Sequence, residues 1–333
     1  KELSIRFVFL RPLGLRLLGG TTRLPPLAAL GCIIAYYAGF GKKNRVARNH
    51  GDGSCGENAT WTLDGDTLTI SGTGATADWK DHGSADDGMH CGAEAHDGDT
   101  TCEKANCMLN RPWQSYIDSI TKIVIEEGIT AIGSDSFIGL TAVTEIELPD
   151  SLTEIGIGAF CFTAITEVTI PANVSTMGYS AFYGCGKLES VFFAGNKVRE
   201  IGIYTFAKYY ALKNLEFPEG LTAIRLGALQ ECRSLEELVF PESLTVLEQS
   251  VLGDSSGKGT PNTTLKKVVV KSDVAIPGFM FCRCTALETV DLSDKVTEIG
   301  EKAFWECTDL KTVDGFDAVS TIGREAFQGC SSL

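Results

Sequence analysis

The segment Ile299-Gly300-Glu301-Lys302-Ala303-Phe304-Trp305-Glu306-Cys307 is one copy of a pattern that recurs along most of the chain. An Ile, or a residue like it, returns about every 23 residues, and Phe or Leu follows five positions later. We number each repeat from that first residue, as position 0. Positions 0 are Ile132, Ile155, Met177, Ile201, Ile224, Leu247, Ile276, Ile299 and Ile322. Positions +5 are Phe137, Phe160, Phe182, Phe206, Leu229, Leu252, Phe281, Phe304 and Phe327.

The remainder of each repeat predicts a short strand. The residues after the Phe read Leu-x-x-Val-x-Ile or similar, often followed by Pro, as in residues 165–171. Alternation sends Val168 and Ile170 inward, and the Pro ends the strand because it cannot continue the ladder. The stretch at 180–183 is too short for a long helix and predicts a 3₁₀ or α turn. The predicted fold is a leucine-rich-repeat solenoid with one short β-strand and one short 3₁₀ or helical turn per repeat.

The region before the repeats predicts a terminal cap. Two Thr-rich segments flank Asp64-Gly65, which is typical of a hairpin turn. The end units of a solenoid must cover its open core, so we expect residues 51–80 to form an N-terminal β-hairpin cap. The solenoid is then expected over residues 113–333, truncated in the ninth repeat.

Residues 81–112 predict an acidic insertion that contains His and Cys. The weak metal-ligand candidates are His82, His90, His96, Cys91, Cys102 and Cys107. Their spacing matches no closed zinc module, so no metal and no cofactor is predicted. A disulfide among the three cysteines is the favoured alternative in an exported protein, with Cys55 as a possible fourth partner, and an unstructured loop is the other. The sequence does not decide the pairing.

Residues 1–50 predict a leader that is a signal or an anchor. Leu24–Gly41 is mostly apolar and flanked by Arg and Lys, and at about 18 residues it just reaches the length of a membrane span. Export is the favoured interpretation; a retained anchor is the alternative, and membrane contact is expected only through it. The lack of a starting Met and the end within a repeat suggest a fragment. From this leader we expect a secreted or cell-surface protein.

Charge and histidine content exclude some functions. The net charge is −14, and residues 51–333 hold 20 basic against 42 acidic side chains. Nucleic-acid binding is not expected, because it needs clustered Lys and Arg. The four histidines, His50, His82, His90 and His96, all precede the repeats, so no catalytic Ser-His or Cys-His pair is expected within the array. We expect no enzyme activity.

Cysteine recurs at one position of the repeat. Position +8 holds Cys185, Cys232, Cys284, Cys307 and Cys330. Stacked repeats place such residues in one column, where a free Cys fills space as a small apolar side chain. Cys161 and Cys282 directly follow the Phe, outside this column, and are expected to be more exposed.

The outward positions of the strands form two columns on the sheet face. The first column is Lys122, Glu145, Glu167, Ser190, Asn214, Glu237, Lys267, Thr289 and Thr312. The second is Val124, Glu147, Thr169, Phe192, Glu216, Val239, Val269, Asp291 and Asp314. An apolar spot in a polar rim is typical of a protein-binding site, although single apolar surface residues are also ordinary. We expect the ligand-binding residues to be Phe192, Glu216, Glu237, Val239, Lys267 and Val269, with Phe192 as the anchor.

From Cys55 to Leu333 the chain resembles the bacterial leucine-rich-repeat surface proteins of the BspA, or Treponema pallidum, type. The resemblance rests on Ser54-Cys55-Gly56, Thr60-Trp61-Thr62-Leu63, residues 68–74, Pro112-Trp113 and the recurrent Ile-Gly-x-x-Ala-Phe-x-x-Cys. It implies a secreted or surface-attached protein of host-associated bacteria that adheres to host proteins or other cells. The chain departs from the pattern at the insertion and at the long loop 253–264.

The expected function is therefore non-enzymatic: an exported protein that binds a protein ligand through its sheet face. The alternative is an accessory or spacer repeat region of a larger secreted enzyme or cell-wall-attached protein.

Overall fold

The structure, a computed structural model, describes residues 50–79, 111–253 and 260–333. The solenoid predicted from the repeats is confirmed. Each repeat supplies a strand to a parallel array, which we call the main sheet and whose strand pairing is interrupted after the second and the fifth strands. Most repeats add a second short strand, in what we call the minor ladder.

The strand bounds follow the repeats. The chain begins with β1 His50–Ser54, β2 Asn58–Asp64 and β3 Thr67–Ala75. The main sheet consists of β4 Lys122–Ile125, β6 Glu145–Glu147, β8 Glu167–Ile170, β10 Ser190–Phe193, β12 Asn214–Leu215, β14 Glu237–Phe240, β16 Lys267–Val270, β17 Thr289–Leu292 and β19 Thr312–Asp314. The minor ladder consists of β5 Ile129–Ile132, β7 Glu154–Ile155, β9 Thr176–Met177, β11 Glu200–Ile201, β13 Ala223–Ile224, β15 Val246–Leu247, β18 Glu298–Ile299 and β20 Thr321–Ile322. Short 3₁₀ turns lie at Gln114–Tyr116 and Phe316–Ala318.

The N-terminal strands supply the first partner for both arrays. β1, β2 and β3 pair antiparallel in sequence order. β3 then pairs in parallel with β4 through Thr67–Ile70. Further along, β3 pairs in parallel with β5 through Gly74 and Ala75, and the register shifts between those two residues. One long strand therefore satisfies the exposed backbone edges of both the main sheet and the minor ladder.

The segment around each Phe forms a third set of hydrogen bonds, which we call the turn ladder. The Phe137 amide donates to the Ala159 carbonyl at 2.8 Å, and the Gly139 amide to the Cys161 carbonyl at 2.8 Å. Amides at +3, +5 and +7 of one repeat point toward the carbonyls at +2, +4 and +6 of the next, except that the Gly253 amide, at +6, donates to Met280 O, at +4. This segment is a run of turns rather than a continuous helix.

Left-handed residues give the turn ladder its direction. Every +3 residue has a positive φ between 53° and 62°: Asp135, Gly158, Ser180, Tyr204, Gly227, Ser250, Phe279, Lys302 and Glu325. Every described +7 residue also has one: Gly139, Phe162, Gly184, Lys208, Glu231, Arg283, Glu306 and Gly329. The left-handed residues are four positions apart, and between and beside them the amides at +3, +5 and +7 face one neighbouring repeat while the carbonyls at +2, +4 and +6 face the other. Each repeat thus presents carbonyls backward and amides forward.

Arg111 closes the carbonyl end of the turn ladder. Its side chain is only 3% exposed. Its Nη1 donates to the carbonyls of Asp135 at 3.2 Å, Ser136 at 3.2 Å and Ile138 at 2.7 Å. Trp113 Nε1 adds a donor to Ser136 O at 3.2 Å. A cation and an indole therefore replace the amides that an upstream repeat would provide.

The core is a column of stacked aromatic rings. Trp113 stacks on Phe137 at 5.5 Å between ring centroids, and Phe160, Phe182 and Phe206 continue the column at 5.3, 5.2 and 6.1 Å. All five side chains are fully buried. Stacked pairs of this kind contribute about 0.5–1.5 kcal/mol each beyond their buried area.

The +8 column also supplies hydrogen-bond donors. Cys185 Sγ donates to Phe160 O at 3.3 Å and Cys232 Sγ to Phe206 O at 3.2 Å, in each case to the +5 carbonyl of the preceding repeat. Where the column holds Tyr209 instead, its hydroxyl makes the equivalent bond to the Phe at +5. The position therefore favours a small or aromatic side chain that can donate.

The expectation that Cys161 and Cys282 are more exposed is wrong, since both are 5% exposed. Each directly precedes a left-handed residue at +7, which turns the chain at once, and the +6 side chain is held between neighbouring repeats. Tyr183 and Ala207 are buried at the same position.

Replacing Arg111 by Met should destabilise the N-terminal end of the solenoid. Met keeps most of the side-chain length but leaves three buried carbonyls without a charged donor. We expect the free energy of unfolding to fall by about 3–5 kcal/mol, measured by urea denaturation. Arg199→Met is the control, because exposed Arg199 makes a single bond to Gly220 O. Equal losses in the two variants would contradict the capping role.

The buried thiols should make stability depend on alkaline pH. Burial raises the pKa of Cys185 from its ordinary 9.0 to about 11. Because the unfolded thiol ionises first, this contribution is complete below pH 9 and is lost as pH rises from about 9 through about 11. We expect the urea midpoint to fall over that interval, and less steeply in Cys185→Ser, whose hydroxyl still donates. An unchanged slope in that variant would exclude Cys185 as the cause.

Candidate protein-binding face

Phe192 lies on the outer face of the main sheet. It is on β10, where its neighbour Val191 points inward and is buried, so alternation turns Phe192 outward, and 51% of its side chain is exposed. It is directly opposite Thr169 on β8. Val191 is opposite Leu215, which places Glu216, the next residue, beside Phe192.

A cavity of about 420 Å³ opens beside Phe192, where β10 and β12 end. Its walls include Phe192, Gly195, Glu216, Phe217 and Pro218. Asn196 and Glu219 add further polar groups, and a partly apolar lining with a few polar groups is typical of a recognition pocket. Phe192 is thus an exposed ring at the edge of a concave, partly apolar surface.

The other four predicted residues lie together on β14 and β16. Val239 is opposite Val269, and both are half-buried. Glu237 is opposite Lys267, and Lys267 Nζ lies 2.8 Å from Glu237 Oε1. This hydrogen bond raises the pKa of Lys267. The ion pair therefore borders the two valines without leaving a net charge.

The two groups occupy neighbouring rungs of the solenoid. The rings of Phe217 and Phe240 stack at 5.7 Å, which holds the rung of Glu216 beside the rung of Val239. The structure thus places all six predicted residues on four consecutive rungs of one face. We call these six residues the face patch.

Ion pairs between successive rungs occupy much of the remaining face. Lys122 bridges Glu145, at 2.8 Å, and Glu147 on the next strand. Lys311 contacts Glu288 at 2.6 Å, and Lys213 contacts Glu189 at 2.8 Å, at the edge where the strands begin. Exposed pairs of this kind contribute little to stability, but they keep these parts of the face polar.

Sequence reasoning missed the pocket residues Gly195, Phe217 and Pro218. A signal existed, since Pro was expected to end strands, and Pro218 follows the strand that carries Leu215. The pattern did not indicate that the chain leaves a concavity at that point.

The other predicted site residues fall mostly outside the described part of the chain. His82, His90, His96, Cys91, Cys102 and Cys107 all do, as does the apolar segment Leu24–Gly41. Cys55 is described and is a buried free thiol, whose pKa burial raises to about 11. Over residues 50–79, 111–253 and 260–333, no three His, Cys, Asp or Glu side chains are grouped to hold a metal ion. A search of the same residues finds no apolar helix of membrane-spanning length.

Comparison with known proteins identifies the repeats. The model of the BspA type leucine rich repeat region matches residues 114–196 and 260–333 with six copies. A comparison with curated proteins finds no match.

Solved structures of bacterial repeat proteins are similar to the chain. A leucine rich cell surface protein from Faecalibacterium prausnitzii is 19% identical, over 83% of this chain and 80% of that one, with a TM-score of 0.48. The Treponema pallidum leucine rich repeat protein is 17% identical, over 87% and 91%, with a TM-score of 0.40. The pneumococcal vaccine antigen PcpA is 17% identical, over 83% and 79%, with a TM-score of 0.39. Residues 114–196 and 260–333 therefore carry repeats of the BspA type leucine-rich repeat family.

Proposed function

We propose that the protein is a non-enzymatic, exported or surface-held binding protein that holds a protein partner on its main-sheet face. The observation that carries this proposal is Phe192. It is a large aromatic side chain, 51% exposed, beside a cavity and within a face made mostly of polar and charged groups.

The energetics favour Phe192 as an anchor. Removing a Phe side chain from water contributes about 1.5–3 kcal/mol, and aromatic residues in desolvated pockets dominate many protein interfaces. Val239 and Val269 extend the apolar surface toward the next rungs. The Glu237–Lys267 ion pair and Glu216 supply polar groups at the rim, as expected of an interface with a dry centre.

The setting outside the cell rests on the family and on the sequence. The resemblance to BspA-type proteins implies secretion or surface attachment and adhesion to host proteins or other cells. The basic, apolar leader at residues 1–50 is consistent with export. The partner we propose is a protein on a host or neighbouring cell.

Phe192→Glu should abolish most of the binding. Full-length protein is passed over immobilised extracellular-matrix proteins and mucins, and affinity is measured by surface plasmon resonance. Charging the anchor places a carboxylate in the centre of the contact, so we expect the affinity for any bound partner to fall at least about tenfold. Thr312→Glu adds the same charge to the same face, on exposed β19, and is expected to change little.

A partner that binds both variants equally would exclude the face patch as its site. If no member of the panel binds the unaltered protein, the spacer or accessory role becomes the better account of the array.

A further inference from the structure

A second apolar surface lies at position +2, where the turn ladder begins. In four consecutive repeats this position holds Ile157, Tyr179, Ile203 and Leu226, and all four are at least partly exposed. Tyr179 is 41% exposed. We call these four residues the turn stripe. In the other repeats the same position holds Ser134, Gln249, Gly278, Glu301 and Arg324.

The backbone fixes the turn stripe as a continuous column. The carbonyl of Tyr179 accepts from Gly158 N at 3.0 Å, and the carbonyl of Ile203 accepts from Ser180 N at 2.9 Å. Leu226 follows in the same register. Each residue therefore lies one rung beyond the previous one. At about 4.8 Å per rung the stripe is about 14 Å long, which matches about four residues of an extended peptide.

Aromatic residues occupy left-handed positions in two of the repeats that carry the stripe. Tyr204 at +3 and Phe162 at +7 adopt left-handed φ values of 54° and 59°. Gly227 at +3 and Gly184 at +7 occupy the equivalent positions in neighbouring repeats, where glycine fits without steric cost. The same left-handed conformation occurs at +3 and +7 throughout the turn ladder, so it belongs to the fold. Tyr204 directly follows the stripe residue Ile203 along the chain.

An acidic groove borders the stripe on the side of the minor ladder. It is a cavity of about 540 Å³, and Ile157 and Tyr179 form part of its wall. Its charged lining residues are Asp78, Glu154 and Glu200, and its lining includes no Lys or Arg. Glu200 is partly neutralised by Arg225 of the next rung, at 2.6 Å. Glu154 is exposed, at the mouth of the groove.

We propose that the turn stripe and its acidic groove form a second docking surface, distinct from the face patch. Its occupant is an extended segment of a partner protein in which apolar side chains alternate with Lys or Arg. The apolar side chains cover the stripe, and the basic groups meet the carboxylates of the groove. Charge complementarity selects this occupant, because the groove is lined by the carboxylates of Asp78, Glu154 and Glu200 and by no Lys or Arg.

Three labelled peptides of equal length test the proposal on the full-length protein by fluorescence anisotropy. One alternates Leu with Lys, the second replaces Lys by Glu, and the third replaces Leu by Ser. We expect only the Leu/Lys peptide to bind, and its affinity to fall as salt rises. Ile203→Asn breaks the stripe without changing charge and should weaken binding about tenfold. Glu154→Gln should weaken it by a smaller factor.

Two control variants locate the binding. Gln249→Asn alters the same column outside the stripe and should leave the affinity unchanged, as should Phe192→Glu on the main sheet. Circular dichroism and thermal melting of Ile203→Asn check that the fold persists. The proposal is overturned if the Ser/Lys or Leu/Glu peptide binds as well as the Leu/Lys peptide, if none binds, or if binding responds to Phe192→Glu and not to Ile203→Asn.

Discussion

Backbone hydrogen bonding between successive repeats, on three sides at once, is the constraint on which this structure depends. The main sheet and the minor ladder use ordinary parallel pairing, but the turn ladder is polar, with amides facing one way and carbonyls the other. A polar ladder cannot simply stop in a buried position, because each uncapped carbonyl would lose its water without gaining a donor. Arg111 and Trp113 supply the missing donors at the start of the turn ladder. β3 pairs with the first strands of the main sheet and of the minor ladder. The backbone of the first repeat therefore has hydrogen-bond partners on all three sides within the chain itself.

The same constraint separates positions that the fold requires from positions that it leaves free. Position +5 holds a large apolar side chain for the stacked column, and position +8 fills space and, where it holds Cys or Tyr, donates to a carbonyl. The side chains at the outward positions of the main sheet and at +2 are not constrained in this way, because only the backbone of these residues takes part in the ladders. Phe192 and Ile203 are apolar at positions where a polar side chain would fold equally well. Recognition can vary at these positions without disturbing the core.

The repeat period allowed much of this arrangement to be predicted. Once Ile132 and its equivalents are aligned, the two-residue alternation of a strand places Val239 opposite Val269 and Glu237 opposite Lys267, and the structure has both pairs. Exposure of Phe192 followed from the burial of its neighbour Val191. The turn ladder could not be predicted in this way. Its left-handed positions hold Asp, Ser, Lys, Glu, Tyr and Phe as well as Gly, so the usual glycine signal is diluted.

Contacts between distant segments also could not be predicted from the sequence pattern. Arg111 meets carbonyls 24 to 27 positions further along the chain, and nothing in the tripeptide Arg111-Pro112-Trp113 indicates that the guanidinium is buried. The pocket beside Phe192 depends on where two neighbouring strands end, which is a property of a pair of repeats rather than of one. A repeat pattern specifies what all units share, and it is therefore least informative about features that arise where one unit departs from the next. Both proposed docking surfaces are such departures, and they share three central repeats. The face patch interrupts a polar face with an exposed ring, and the turn stripe interrupts a polar column with four apolar side chains.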